Sequence, residues 1–108
     1  MSDKKIDILG TEYSIIYRTP ADYEDLQEDN GGICDGEKKV IVMNSDVSSE
    51  SALHKSDLRH EIIHAYLYES GLSANWTHPE MGHDETYVDW VAIQFPKLLR
   101  TFTEVGCL

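Results

Sequence analysis

The run His60-Glu61-Ile62-Ile63-His64 places two imidazoles four residues apart with a carboxylate between them. On a helix, residues four apart stand one above the other on the same face, so both rings can reach one ion. Imidazole nitrogens suit zinc, which binds them at about 2.0–2.1 Å. Glu61 sits beside His60, angled toward the place of a water in such a site. A carboxylate there can take the water's proton and pass it to a leaving amine. The chemistry on offer is hydrolysis.

A catalytic zinc requires a third protein ligand and one open position. The downstream candidates are His78, His83, Asp84, Glu85 and Asp89. Glu85 and Asp89 are one helical turn apart, which suggests a division of labour. Glu85 would bind the metal, and Asp89 would hold the far ring nitrogen of a ligand histidine and fix its tautomer. His83 is the rival third ligand. Asp57 reads as a first-turn acid of the helix, and His54 and His78, taken singly, as surface histidines.

The chain has 108 residues, which suits a single domain. Its hydrophobic fraction of 41% suits a folded core, and it lacks the long apolar stretches of a membrane span. The first five residues lack the apolar run of a signal peptide, so a cytoplasmic location is expected. A net charge of -11 argues against nucleic acid, whose phosphates call for a basic patch. It would attract cations or a basic peptide instead. Cys34 and Cys107 are too far apart in sequence to suggest a CxxC metal pair, and both read as reduced thiols, Cys34 as a small apolar group in a strand.

Short strands are expected over residues 6–10 and 12–18, where β-branched and aromatic residues dominate. The acidic residues 21–29 read as a loop or one or two helical turns, with a solvated face. Asp35-Gly36 is a hairpin signal and pairs residues 32–35 with 38–43. A helix spans about residues 52–70 and stops at Gly71. Ser49 or Ser56 would cap its start. Residues 72–82 read as a loop, and a second helix begins near His83. Pro96 would kink or break that helix, with residues 97–102 as a further piece. Trp76 and Trp90 read as core or loop anchors.

The HExxH run followed by Asp84-Glu85-Thr86-Tyr87-Val88-Asp89 resembles the glutamate zincins of the thermolysin type. Their second helix reads Asn-Glu-x-x-x-Asp, and this chain has Asp84 in place of the Asn. A closer likeness is to small metallopeptidases encoded by phages and prophages, through the phrases Ala65-Tyr66-Leu67-Tyr68-Glu69-Ser70-Gly71-Leu72 and Glu85-Thr86-Tyr87-Val88-Asp89-Trp90-Val91-Ala92. The resemblance covers roughly residues 32–96. It implies one catalytic zinc on His60, His64 and Glu85, Asp89 behind a ligand histidine, and peptide hydrolysis with Glu61 as general base. It also implies a peptide pairing with an edge strand beside the cleft, for which residues 40–43 are the candidate, protected by Lys38 and Lys39. The thermolysin-like C-terminal lobe is missing, and so is an obvious oxyanion donor. His83 and His78 come first as substitutes, followed by Tyr66 and Tyr87. Losing such a donor costs about 3 kcal/mol.

The expected fold is α+β, a minimal zincin-like core in which a small, mostly antiparallel sheet is covered on one face by two or three helices. The expected function is zinc-dependent cleavage of a peptide or protein substrate, without nucleic acid or membrane. The alternative is a metal-stabilised binding or regulatory domain that keeps the core without turnover. Solvent access to the fourth metal position separates the two. The oligomeric state stays open, a dimer included.

Overall fold

The computed structural model describes residues 3–71 and 85–105. Four strands precede two helices: β1 (Lys4–Ile8), β2 (Thr11–Arg18), β3 (Gly32–Asp35), β4 (Val40–Asn44), α1 (Ala52–Glu69) and α2 (Glu85–Val105). Leu9 and Gly10 both adopt positive φ, 52° and 90°. That is the two-residue hairpin geometry matching the twist of paired strands, and Ile8 pairs directly with Thr11 across it. The second hairpin is longer than Asp35-Gly36 alone suggests. The Asp35 carboxylate accepts from the amides of Glu37 and Lys38, at 3.0 and 2.9 Å. Lys39 turns the chain at φ 58°, and pairing resumes at Val40 rather than Lys38.

The strand order is β1-β2-β4-β3. The β1/β2 and β3/β4 pairs are antiparallel and the central β2/β4 pair is parallel, so the sheet is mostly antiparallel as expected. The edge beside the helices is therefore β3 and not β4. Ile41, Val42 and Met43 are consecutive and all buried, the mark of a strand covered on both faces. Residues 19–31 link β2 to β3 through turns instead of helix, with Leu26 buried and the acids exposed.

Alternation along the strands sends Ile6, Ile8, Tyr13, Ile15, Tyr17, Ile41 and Met43 to one side, where they pack with Leu58, Ile62 and Ala65 of α1. The Tyr13 hydroxyl and the Lys39 ammonium both donate to Glu69 at 2.7 Å, tying the end of α1 to the sheet. Ser51 caps α1, its hydroxyl accepting from the His54 amide at 3.0 Å; neither Ser49 nor Ser56 does so. The helix ends at Ser70, and Gly71 follows at φ 83°, as its place after the helix suggests.

The second helix docks on α1 rather than adding to the sheet's cover. Val88 and Ala92, one turn apart, are its buried residues among those described. Trp90 lies off that face and is 52% exposed, so it does not anchor the core. Pro96 neither breaks nor ends the helix, which runs on to Val105. Proline has no N–H for the carbonyl four residues back, which is that of Ala92. Arg59 of α1 donates its Nε–H to that same carbonyl. A cross-helix bond thus satisfies the group that proline leaves open. No helix among the described residues is long and apolar enough to cross a membrane.

Arg59→Met removes the donor and leaves the Ala92 carbonyl without its partner. The expected loss is about 1–3 kcal/mol of unfolding free energy, the cost of an unsatisfied buried polar group. Urea unfolding of the variant measures it. An unchanged midpoint would show that the bond does not hold the two helices together.

Candidate metal centre

One stripe of α1 faces a groove of about 440 Å³ and bears Asp57, His60, Glu61, His64 and Tyr68. The spacing of three, four, seven and eleven from Asp57 is that of a single helix face. Glu85 and Asp89, one turn apart on α2, close the second wall. The third wall is β3 with the loop before it, from Asp29 to Cys34.

The two histidines turn their Nε2 atoms toward each other, 3.1 Å apart. Glu85 completes the cluster, with Oε1 2.8 Å from His64 Nε2 and Oε2 3.3 Å from His60 Nε2. Three donor atoms, one from each residue, lie within 4.8 Å of one another. Tetrahedral ligands at about 2.0–2.1 Å from zinc stand about 3.3 Å apart. The separations here, 2.8 to 3.3 Å, lie at or just below that spacing, and the donors are two imidazoles and a carboxylate, so the residues fit zinc. On the far side of the ring, His60 Nδ1 lies 2.6 Å from Asp89 Oδ1. With the proton at Nδ1 facing that carboxylate, the Nε2 lone pair is directed into the cluster.

Glu61 is only 7% exposed, yet it lines the groove, and its Oε2 lies 4.0 Å from His60 Nε2. No hydrogen bond satisfies it among the described residues. Burial pushes its carboxyl up to about 7; His60 opposes this, while Glu85, Asp57 and Asp89 add to it. Burial likewise raises the carboxyl of Asp57. Among the described residues the groove is lined by five carboxylates and no lysine or arginine. A cation placed among them would relieve that crowding. Cys34 is a free thiol, half-buried in β3, with its pKa pushed up to about 12 by burial, which makes it a packing group rather than a nucleophile.

The structure brings together His60, Glu61, His64, Glu85 and Asp89, all lining one groove. His83 and His78, the first choices for an oxyanion donor, lie outside the described residues, as do Trp76 and Cys107. Tyr66 and Tyr87 are exposed and do not line the groove; Tyr68 does. Asp57 is not a first-turn acid, because α1 starts earlier, at Ala52, and the side chain faces the groove. Its position three residues before His60 and four before Glu61 was the available signal. Nor is His54 a surface residue. It is buried and stacked on Tyr17, ring centroids 5.9 Å apart. Comparison with known proteins returned no match to a family model, a curated protein or a solved structure.

Asp89→Asn keeps the shape of the His60 partner and removes its charge. The expected result is a zinc affinity about 10–100-fold weaker, read by competition with a chromogenic chelator. An affinity equal to that of the unchanged protein would mean that Asp89 does not support the ligand.

Proposed function

We propose that this protein is a zinc-dependent peptidase built on a minimal zincin-like core, akin to the small phage- and prophage-encoded glutamate zincins. The observation that carries the reading is Glu61, a buried carboxylate without a hydrogen-bond partner among the described residues, opening onto a groove beside a three-donor cluster. A structural zinc site is closed by its ligands and has no use for such a group.

In this reading His60, His64 and Glu85 hold the ion and Asp89 orients His60. Zinc bound there supplies Lewis acidity toward a carbonyl and lowers the pKa of a water. Glu61 accepts a proton from water at a carboxylate oxygen and returns it to the nitrogen of the leaving amine. An extended peptide lies along the outer edge of β3, adding a strand to the sheet. The acid balance of the chain disfavours nucleic acid as the substrate.

Zinc-loaded protein should cleave a denatured protein such as casein, and Glu61→Gln should lower the rate by about 10²–10⁴-fold. Zinc stoichiometry should not change in that variant. Zinc bound with no cleavage by the unaltered protein would contradict the peptidase reading and favour a metal-stabilised binding domain.

A further inference from the structure

The groove has two unlike ends. A Cβ built on Gly31 would overlap the Asp57 carboxylate, so that carboxylate rests on the chain just before β3. A Cβ on Gly36 would stand 2.6 Å from Cγ of Tyr68, so the ring covers the chain just after β3. The edge strand and α1 therefore run side by side in the same direction, from an acidic end at Asp29 and Asp57 to an aromatic end at Tyr68. His60, Glu61 and His64 lie between the two.

The acidic end is firmly built. Asn44, buried at the end of β4, donates its side-chain amide to the Asn30 carbonyl and its backbone N–H to the Gly31 carbonyl, both at 2.9 Å. Its own Oδ1 accepts from the Asp46 amide at 2.9 Å. The loop carrying Asp29 is thus held beside Asp57 by a satisfied buried network.

The five carboxylates also have different surroundings. Glu85 faces the two Nε2 atoms, Glu61 borders the cluster, and Asp89 faces the His60 ring. Asp29 and Asp57 have no salt bridge and no side-chain hydrogen bond among the described residues. A dication at the cluster offsets the charge of two of the five carboxylates and leaves three, Asp29 and Asp57 among them. Glu61, buried and without a hydrogen-bond partner among the described residues, opens onto the same groove, which marks it as a place for a ligand and not merely a charged surface.

We propose that the groove selects peptides carrying a lysine or arginine at the Asp29–Asp57 end and an apolar residue at the Tyr68 end, one on each side of the metal centre. This selectivity rests on the peptidase reading for its purpose but is tested by binding alone. A cationic side chain neutralises the two free acids, while an apolar one packs against Tyr68 and Ile33.

The probes are fluorescein-labelled, alanine-rich peptides with one leucine and either arginine or glutamate close by, made in both orders. Anisotropy is read on zinc-loaded Glu61→Gln protein, so that nothing is cut. In one order the arginine peptide should bind about tenfold or more tightly than its glutamate twin. Asp57→Asn on that background should reduce the preference to about threefold or less, and Asp29→Asn should reduce it in part. Glu12→Gln, on β2 and outside the groove, should leave it intact. Equal binding of the twins, or no binding of either, would overturn the proposal. So would an equal loss with Glu12→Gln, which would mean diffuse attraction to an acidic protein. Cleavage by the unaltered protein without an arginine preference would sink this inference and spare the peptidase reading; an Asp57-dependent preference without cleavage would do the reverse.

Discussion

The contact between α1 and α2 fixes where Glu85 and Asp89 stand relative to His60 and His64. A donor set divided between two helices has no existence apart from their docking. Val88 and Ala92 supply the buried apolar contact, lying between and just beyond the two acids on α2. The Arg59 bond to the Ala92 carbonyl adds a fixed register, and Arg59 is the immediate neighbour of His60. A slip of one helix past the other would strand a proline-exposed carbonyl and pull the carboxylates from the rings together. The same few residues thus serve the stability of the fold and the spacing of the site.

Charge is the second constraint. Like charges gathered at one place oppose folding unless a cation joins them. Among the described residues the groove brings together five carboxylates without a lysine or arginine in its lining. A bound dication would therefore stabilise the native chain by mass action, since the unfolded chain has no assembled site. Asp29 and Asp57, the two acids farthest along the wall, are among the three that such an ion leaves over. They give the groove its polarity, with the aromatic end at Tyr68.

The parts legible in the sequence are those set by local periodicity. The spacing of His60, Glu61 and His64, and that of Glu85 and Asp89, places each group on one helical face before any tertiary contact is known. The helix stop at Gly71 and the hairpin at Asp35 are equally local. What escaped depends on partners distant in the chain. The continuity of α2 through Pro96 rests on Arg59. The cap at Ser51, rather than at Ser49 or Ser56, shifted the turn to which Asp57 belongs. Residues 40–43 are not the edge strand expected, and the unbroken run Val40-Ile41-Val42-Met43 bears the stamp of an interior strand. Gly32-Ile33-Cys34-Asp35, short and closed by a charged residue, suits an edge. Trp90 looked like an anchor by size alone, but the docking face of α2 is set by Val88 and Ala92.

The central claim is that one zinc ion sits on His60, His64 and Glu85. It is tested most directly by native mass spectrometry of protein offered zinc and then desalted, with Glu85→Ala and His83→Ala beside the unaltered chain. The account predicts one zinc per chain, lost with Glu85→Ala and retained with His83→Ala. Zinc retained with Glu85→Ala and lost with His83→Ala would contradict the ligand set, and no zinc on the unaltered chain would contradict the site itself.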